Sequence, residues 1–420
     1  RRHIKMKDLS SRKQYGRIRF YIIYMMLMSI VLCMCIQPLG VSALSPLPTY
    51  KQGDYLYNYL HHSIVGYVGK EKDIVTPVIN DDCFNVSFLG ENKNIRSVTL
   101  NAKVNKVGEG AFSMCKNLVN IYVDPDNEYF TSIDGVLFDK EGTTLIAYPQ
   151  NKGQKEYQIP EGTKYISSTA FTMKRGFFDF RTLLHKIYLP DSLEEYTGLT
   201  FFKCITLKEI HIKDTNEKYT VENGIVFDKD MKEIVYYPKI KSSYYVVPEG
   251  IRTIGYHAFC NSGLRYIRLN EGLTEISEGA FAHCRLRKVI IPDTVKLIGR
   301  HAFAGNKIHT LKLGKSVEKI DASAFVSNNI TKLELNDSLT YIGGHAFAWS
   351  DIKGTLIFPK SIELIGYNAF TSEEVSRVII WDGVCVGDSL FGSEEFKEAY
   401  DKYGAGAYIW ADESKWIKER

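Results

Sequence analysis

Residues 286–303 read LRKVIIPDTVKLIGRHAF, and this stretch decides the fold of the chain. Its last nine residues follow the pattern apolar-x-x-apolar-small-x-x-Ala-Phe, which recurs along the sequence. Clear copies end at Phe112, Phe171, Phe259, Phe281, Phe303, Phe325, Phe347 and Phe370, and a degenerate copy ends at Phe201. From Phe259 onward the steps are 22, 22, 22, 22 and 23 residues. A period of this length indicates a solenoid, in which each coil covers the apolar face of the next.

Each repeat combines a strand signal with turn signals. The sequence IRL at 267–269 alternates between apolar and polar residues, as a strand with one buried face does. The sequence NEG at 270–272 then supplies turn residues. We therefore predict a repeat solenoid with short parallel strands, tight turns and short helical corners, whose repeated Phe residues stack in one buried ladder. Because no coil buries its apolar face alone, the array must be capped at both ends.

Two longer units interrupt the period, and they resemble each other. The steps across them are 59 and 58 residues. The first unit contains DGVLFDK at 134–140 and LIAYP at 145–149, and the second contains NGIVFDK at 223–229 and IVYYP at 234–238. Each unit reads as two short strands joined by a polar turn, so we predict two hairpin insertions in the array.

The repeat itself resembles a known family. The pattern at 295–303, followed by Leu311 and Leu313, is similar to the BspA-like leucine-rich repeats, and so are the unit at 251–259 and the two insertions. The run from 396 to 416 looks like the end-cap that such proteins carry. The resemblance spans roughly residues 54–420 and implies a leucine-rich repeat solenoid. It also implies a bacterial cell-surface or secreted protein of the adhesin type.

The N-terminal segment has the features of an export signal. Eight Lys and Arg residues precede an apolar run at 20–36, and Val41-Ser42-Ala43 fits a small-residue cleavage site. We therefore predict a cleaved signal peptide at 1–43. An uncleaved signal anchor is the alternative, because the 17 residues of the run reach the lower limit for a membrane span. In either case the repeats lie outside the cytoplasm.

The remaining boundaries follow from the repeats. We predict a linker at 44–53, an N-terminal cap with the first degenerate coils at 54–111, the repeat array at 112–392 and a C-terminal cap at 393–420.

The whole chain carries 53 Lys and Arg against 49 Asp and Glu, but residues 44–420 carry 45 against 48, a charge of about −3. The excess of Lys and Arg over Asp and Glu therefore lies in the predicted signal peptide, so nucleic acid is not expected as a partner. Contact with a membrane is expected only through an uncleaved N-terminal segment.

The cysteines and histidines of the array occur at fixed positions in the repeat. Cys115, Cys204 and Cys284 each lie three residues after a repeat Phe, so we predict small buried thiols rather than a disulfide framework. Three histidines each lie two residues before a repeat Phe, at 257, 301 and 345. They belong to alternate coils, about 10 Å apart by strand spacing, which is too far for two ligands of one zinc ion. We interpret them as polar turn residues.

No catalytic signature is present in the sequence. There is no G-x-S-x-G, H-E-x-x-H, Walker or G-x-G-x-x-G motif in a suitable context, so no catalytic, cofactor-binding or metal-binding residue is predicted. The protein is therefore not expected to be an enzyme and needs no cofactor.

The outward positions of the strands are the candidate ligand face. Core positions repeat strictly, whereas these positions vary, and the varied face of a repeat array can carry binding specificity. The predicted ligand-face residues are Tyr122, Tyr188, His211, Tyr266, Arg268, Ile290, Lys312, Glu334, Ile357, Ile379 and Trp381. Ile357, Ile379 and Trp381 are expected to form a docking patch, with the strand that carries Ile379 continuing to Trp381. The alternative is that the C-terminal cap folds over this patch and buries it.

The predicted function is that of an exported leucine-rich repeat protein which binds another macromolecule, a protein or a glycan, through its strand face. We expect secretion or attachment at a bacterial cell surface, with an adhesin-like role. A structural surface spacer without a specific ligand is the main alternative, and an accessory hydrolase is a weaker one.

Overall fold

The structure is a computed structural model, and two compact units make up the chain. The residues described are 49–58, 63–78, 84–171, 183–196, 198–201, 204, 206–239, 242–371, 374–411 and 415–419. The predicted signal peptide lies outside these residues. Among the described residues, the first unit comprises those within 49–140 and 147–152, and the second comprises those within 141–146, 153–171 and 183–419.

The first unit begins with strands inside the segment predicted as a linker. Its strands are β1 Thr49–Gln52, β2 Tyr55–Asn58, β3 Ser63–Tyr67, β4 Asp73–Val75, β5 Phe84–Val86, β6 Ser97–Leu100, β7 Val104–Val107, β8 Asn120–Val123, β9 Phe130–Ile133 and β10 Val136–Asp139. Strand β1 pairs antiparallel with β2, and β2 with β3, so the cap reaches back into the predicted linker at 44–53. Parallel pairing then starts: β3-β5-β7 run along one sheet, and β4-β6-β8 form another.

The second unit contains the regular repeats. Its strands up to the first regular coils are β11 Thr144–Ala147, β12 Glu156–Gln158, β13 Tyr165–Ile166, β14 Lys186–Tyr188, β15 Glu209–His211, β16 Tyr219–Glu222, β17 Ile225–Asp228, β18 Glu233–Tyr236, β19 Tyr244–Val246, β20 Thr253–Ile254, β21 Tyr266–Arg268 and β22 Glu275–Ile276. The remaining elements are β23 Lys288–Ile290, β24 Leu297–Ile298, β25 Thr310–Lys312, β26 Lys319–Ile320, β27 Tyr341–Ile342, β28 Gly354–Ile357, β29 Leu364–Ile365, β30 Val375–Ile380, β31 Cys385–Val386, α1 Glu395–Tyr403, β32 Gly406–Ala411 and β33 Lys415–Lys418.

A regular coil contains two strands, of which the sequence predicted the first. The predicted strands lie in short sheets, namely β12-β14-β15, β19-β21, β23-β25 and β28-β30-β32-β33. The second strand of each coil has only two residues, such as Leu297–Ile298, and it pairs in a ten-stranded sheet with the order β16-β17-β18-β20-β22-β24-β26-β27-β29-β31. A two-residue strand is too short to show an alternation of apolar and polar residues in the sequence. It can be recognised only from its hydrogen bonds to the neighbouring coils.

The buried Phe ladder predicted from the repeat is confirmed in the second unit. The ring centroids of Phe259, Phe281, Phe303, Phe325, Phe347 and Phe370 follow one another at 4.9, 5.2, 5.1, 5.3 and 5.2 Å. All six rings are buried, and an equally buried alanine precedes each of them. In the ten-stranded sheet, Ile254, Ile276 and Ile298 pair in direct register, so identical side chains also stack on this side of the core.

The Ala-Phe corners are turns rather than the short helices expected from the sequence. Around Phe303 the backbone takes a φ of 56° at His301 and 65° at Gly305. Alternate amide groups from His301 to Gly305 donate to carbonyl groups of the next coil over 3.1, 2.7 and 2.9 Å. A helix would satisfy these amides within its own segment. The stacking of coils replaces those bonds, and the left-handed positions are filled by His, Gly, Ser, Asn and Trp.

A buried polar column lies three residues after the repeat Phe and explains the cysteines found there. Asn306 Nδ2 donates to the carbonyls of Phe281 and Phe303 over 2.8 and 2.9 Å, and Asn306 Oδ1 accepts from the Leu286 amide over 3.1 Å. In the preceding coil Cys284 takes the same place, and its Sγ lies 3.0 Å from the Phe259 carbonyl oxygen. The thiol therefore serves as a small buried donor in place of an amide.

The described cysteines agree with the prediction of thiols rather than disulfides. Cys115, Cys204, Cys260, Cys284 and Cys385 are thiols, and Cys83 lies outside the described residues. The first, second and fourth are buried, whereas Cys260 is half-buried and Cys385 is exposed on β31. Burial raises the pKa of Cys115 to about 12 and that of Cys284 to about 11. These two thiols are therefore protonated at neutral pH and poorly reactive.

Each insertion contains a hairpin that begins one strand earlier than predicted. In the first unit β9 and β10 pair antiparallel around Asp134 and Gly135, whose φ values are 48° and 68°. In the second unit β16 and β17 pair around Asn223 and Gly224, at 50° and 71°. Both residues of a two-residue type I′ turn need positive φ, which Asp-Gly and Asn-Gly provide. In the second unit β17 then pairs with β18, which joins the ten-stranded sheet.

The C-terminal cap closes the second unit by extending a sheet at its edge. Strand β32 pairs antiparallel with β30, and β33 pairs with β32. Helix α1 packs Phe396 against Trp416 at a centroid distance of 5.3 Å, and both side chains are buried. The cap therefore covers the end of the core and, through β32, the edge of β30 beside Ile379, but it leaves Ile357 of the predicted patch exposed. No helix within the described ranges is long and apolar enough to cross a membrane.

Candidate binding face

The strand face is defined here as the outward-pointing side chains of the short sheets in the second unit. The structure confirms the outward direction for most of the predicted ligand-face residues there. Tyr266, Ile290 and Ile357 are 49%, 49% and 54% exposed. Arg268, His211 and Lys312 are also exposed, and Tyr188 is half-buried. In the first unit, Tyr122 takes the equivalent position on β8 and is 45% exposed.

Parallel pairing in register arranges the strand face in rows. Tyr244 pairs with Tyr266, and Val246 pairs with Arg268. Two coils further along, Ile290 pairs with Lys312. Side chains in such rows are about 4.8 Å apart from one coil to the next. Tyr244, at 52% exposure, and Val246 extend the rows but were not predicted, because the preceding insertion breaks the period. The alternation in YYV at 244–246 could have identified them.

The N-terminal part of this face has its charges paired. Lys186 Nζ lies 3.8 Å from a carboxylate oxygen of Glu156 and 3.6 Å from one of Glu209, which occupy the strands on either side. In the next row the rings of Tyr188 and His211 stack with a centroid distance of 5.0 Å. The Tyr188 hydroxyl also donates to Glu156 over 3.2 Å. Because these groups already satisfy one another, this part of the face offers a ligand little uncompensated charge.

The C-terminal part differs from the prediction at three residues. Trp381 follows β30 instead of lying within it, and its indole Nε1 donates to the Phe358 carbonyl over 2.7 Å, which turns the ring partly inward. Ile379 pairs with Ala407 of the cap and is half-buried. Glu334 is exposed, but residues 330–336 form no strand. Ile357 is therefore the member of the predicted docking patch that remains largely exposed.

A cleft in the first unit was not predicted from the sequence. It has a volume of about 430 Å³ and is lined by residues of the N-terminal cap, including Tyr55, Tyr57, Tyr67, Asp54 and Asp73. The Tyr55 and Tyr67 rings are 4.9 Å apart, and the Tyr55 hydroxyl donates to the Val75 carbonyl over 2.7 Å. Burial raises the pKa of Tyr55 and keeps its phenol neutral. These tyrosines mainly pack against one another, and they lie before the first recognisable copy of the repeat.

The repeat histidines are turn residues, as predicted, and the structure explains why they alternate. His257, His301 and His345 have φ values of 53°, 56° and 57°. A Cβ atom placed on Gly279, the residue that follows His257 in the stack, would lie 2.2 Å from a ring carbon of His257. The His257 imidazole therefore leaves no room for a side chain at this position of the next coil. Within the described residues no group of three His, Cys, Asp or Glu side chains could hold a metal ion.

Buried histidines make the array sensitive to acid. Burial lowers the pKa of His257 from 6.5 to about 3, and burial together with the nearby Arg300 lowers that of His301 from 6.5 to about 4. The unfolded chain takes up these protons below about pH 6.5, whereas the folded chain does not. The free energy of unfolding therefore falls as the pH drops, by up to about 1.4 kcal/mol per pH unit for each histidine.

We expect His301→Asn to reduce this sensitivity. Asn is neutral and tolerates positive φ, so the variant should lose about 2 kcal/mol less than the wild type between pH 7 and pH 5. Urea melts at the two pH values measure the difference. His309→Asn, at an exposed position on the strand face, is the matched control and should behave like the wild type. Equal pH dependence of all three proteins would contradict the burial of a neutral imidazole.

The fold defines a leucine-rich repeat solenoid, with an invariant core and a variable strand face. Comparison with known proteins agrees with this class. The model of the BspA-type leucine-rich repeat region, with six copies, matches residues 78–225, 229–353 and 275–397. Because these matches cover more than half of the sequence, the chain belongs to the BspA-type leucine-rich repeat family. Among curated proteins, none matches the sequence.

Solved structures of similar fold come from bacteria. A leucine-rich repeat protein from Eubacterium ventriosum is 18% identical with a TM-score of 0.50, and the alignment covers 79% of this chain and 90% of that one. The pneumococcal vaccine antigen PcpA is 16% identical with a TM-score of 0.41, over 85% and 96% of the two chains. A leucine-rich cell surface protein from Faecalibacterium prausnitzii is 17% identical with a TM-score of 0.35, over 82% and 91%. At these identities the likeness concerns the fold alone.

Proposed function

We propose that this chain is an exported, adhesin-like bacterial protein that binds a macromolecular partner, a protein or a glycan, through its strand face. Export is supported by the N-terminal basic and apolar pattern with its small-residue cleavage site. We assign no catalytic residue and no cofactor. The proposal places the protein in the secreted or surface-attached fraction.

The observation that carries the proposal is the contrast between the core and the strand face. At the repeat Phe, six successive coils of the second unit keep the same buried ring. At the outward position represented by Arg268, the next coils have Ile290, Lys312 and Glu334 instead. Packing explains the conserved chemistry of the core positions, but it imposes no particular residue on the exposed ones.

The exposed residues are also of types that bind partners well. Tyr and Arg are enriched among residues that dominate binding energy at interfaces, because they combine a large contact area with polar groups. Tyr266 and Arg268 stand side by side on β21, and the side chains of Tyr244 and Ile290 are exposed in the same rows. Such large side chains at outward positions add little to the folding of the array.

Binding to defined partners tests the proposal. The exported protein is offered to arrays of matrix proteins, serum proteins and purified glycans, and affinities are measured for every partner retained. We expect Tyr266→Ala with Ile290→Asp to weaken binding at least about tenfold without shifting the melting temperature, because hot-spot truncations cost more than about 1 kcal/mol.

The matched control is Tyr367→Ala. Tyr367 is 56% exposed but lies outside the strand face, just after β29. The Tyr367→Ala variant should therefore bind every partner as the wild type does. If no array component is retained, or if the two variants weaken binding equally, the strand face has no specific ligand. The chain would then be a structural spacer.

A further inference from the structure

One segment of the strand face carries cations without carboxylates. Four consecutive coils contribute residues 243–246, 265–268, 287–290 and 309–312, and these sixteen residues contain no Asp or Glu. We call this segment the basic strip. Its five cationic residues, all exposed, are Arg265, Arg268, Arg287, Lys288 and Lys312. Residues 44–420 as a whole carry a charge of about −3, from 45 Lys and Arg against 48 Asp and Glu, so the strip is a local exception.

The coils on either side of the basic strip neutralise their cations. On the N-terminal side Lys186 lies between two glutamates. On the C-terminal side Lys332 pairs with Glu334 over 2.6 Å, Lys353 pairs with Glu374, and Arg377 pairs with Glu419 over 2.6 Å. Within the described part of the chain, none of the five cations of the strip forms an ion pair. The nearby Asp293 pairs with Lys315 at 3.0 Å, and the charge of Lys312 also contributes to lowering the pKa of the Asp293 carboxyl.

The solenoid places two of these cations at like positions of successive coils. Arg265 and Arg287 occupy the same position in successive coils, and the amide of His309, at this position in the coil after that, donates to the Arg287 carbonyl over 3.0 Å. Like positions in adjacent coils are about 4.8 Å apart along the backbone, and like charges at this separation repel each other. The repulsion opposes folding of this face, and a bound anion would relieve it.

Flat aromatic rings accompany the charges. Tyr244 and Tyr266 are neighbours in register, and they are 52% and 49% exposed. Such rings pack against the apolar faces of sugars, and their hydroxyl groups form hydrogen bonds. Val246 and Ile290 are the exposed large aliphatic residues of the strip. Two such side chains provide little apolar surface for the centre of a protein–protein interface. Cations on three successive coils suit a linear ligand that runs along the stack and carries several charges.

We propose that the basic strip binds an acidic polysaccharide, a sugar chain that carries sulfate or carboxylate groups. The inference rests on the proposed function, because it names the ligand class for the same strand face. Arg265, Arg268 and Arg287 pair with the anionic groups through two N–H donors each, and Lys288 and Lys312 add point charges. Tyr244 and Tyr266 provide the surface on which sugar rings stack. Electrostatic attraction to the strip also speeds association at low salt.

The test measures binding of the exported protein to a size-defined heparin chain, to hyaluronate and to neutral dextran over a range of salt concentrations. The strip variant is Arg265→Gln with Arg287→Gln and Lys312→Gln. The matched control is Arg252→Gln with Lys296→Gln and Arg300→Gln, which removes the same charge from exposed positions of the same region outside the strip. We expect the strip variant to bind heparin on the order of a hundredfold more weakly, with a salt slope smaller by about one per lost contact. The control should bind as the wild type does.

Four outcomes would overturn the inference. Equal losses in the strip variant and the control would show non-specific attraction. Duplex DNA bound as tightly as heparin, and lost in the same variant, would make the strip a general polyanion site. If neither acidic polysaccharide binds while an array partner still depends on Tyr266 and Ile290, the polysaccharide assignment fails and the proposed function stands. If no partner of any class binds, both fail.

Discussion

Phe303→Ala is expected to lower the free energy of unfolding by about 3–5 kcal/mol. The Phe303 ring is fully buried, with the rings of Phe281 and Phe325 at centroid distances of 5.2 and 5.1 Å on either side. Truncation removes the contacts on both faces and leaves a cavity. The neighbouring rings are held by their own coils, so they can fill little of it. Urea melts of the wild type and the variant measure the loss.

Arg300→Ala serves as the control for Phe303→Ala. Arg300 lies in the same coil but is exposed, so its replacement should change the free energy of unfolding by no more than about 0.5 kcal/mol. Losses of similar size in the two variants would contradict the assignment of Phe303 to the core.

Asn306→Leu should cost about 3 kcal/mol even though it adds an apolar side chain to the core. The variant leaves the buried Leu286 amide without its acceptor and the Phe281 carbonyl without the donor that Asn306 supplies. Each buried backbone group that loses its partner costs about 1–3 kcal/mol. Urea denaturation of the variant, with near-ultraviolet circular dichroism to check packing, measures this cost.

Two variants control for Asn306→Leu. Asn306→Cys keeps a donor toward Phe281, as Cys284 does toward Phe259 one coil earlier, so it should recover part of the loss. Asn329→Leu makes the same change at an exposed position and should be close to neutral. If Asn306→Leu is as stable as the wild type, the column does not hold the coils through these hydrogen bonds.

The repeat period was enough to predict the core. Residues that recur every 22 positions must stack if the coils stack, so the Phe ladder and the cysteines beside it followed from spacing alone. The same reasoning identified the outward strand positions, because Tyr266 and Arg268 flank a core residue on an alternating strand. The family resemblance added the class of repeat, and the family matches at residues 78–225, 229–353 and 275–397 confirm it.

Features that depend on contacts between coils were not predictable from the sequence. The second strand of each coil exists because Leu297–Ile298 pairs with its neighbours, and the turn at Phe303 is held by bonds to the next coil. Whether a cation of the strand face has a carboxylate partner also depends on the residues of adjacent coils. Lys186 and Lys288 occupy the same position in the repeat, but only Lys186 has glutamates beside it. Trp381 turned inward because a carbonyl of another coil, that of Phe358, accepts its indole N–H.

The central claim is that a macromolecule binds to the strand face, and side-chain footprinting tests it most directly. Hydroxyl radicals label exposed tyrosines, and Tyr244, Tyr266 and Tyr367 are 52%, 49% and 56% exposed, so they start from similar reactivity. With a saturating partner from the arrays or the heparin chain, we predict that labelling of Tyr244 and Tyr266 falls several-fold while labelling of Tyr367 is unchanged. Protection of Tyr367 without protection of the two strand-face tyrosines would contradict the account.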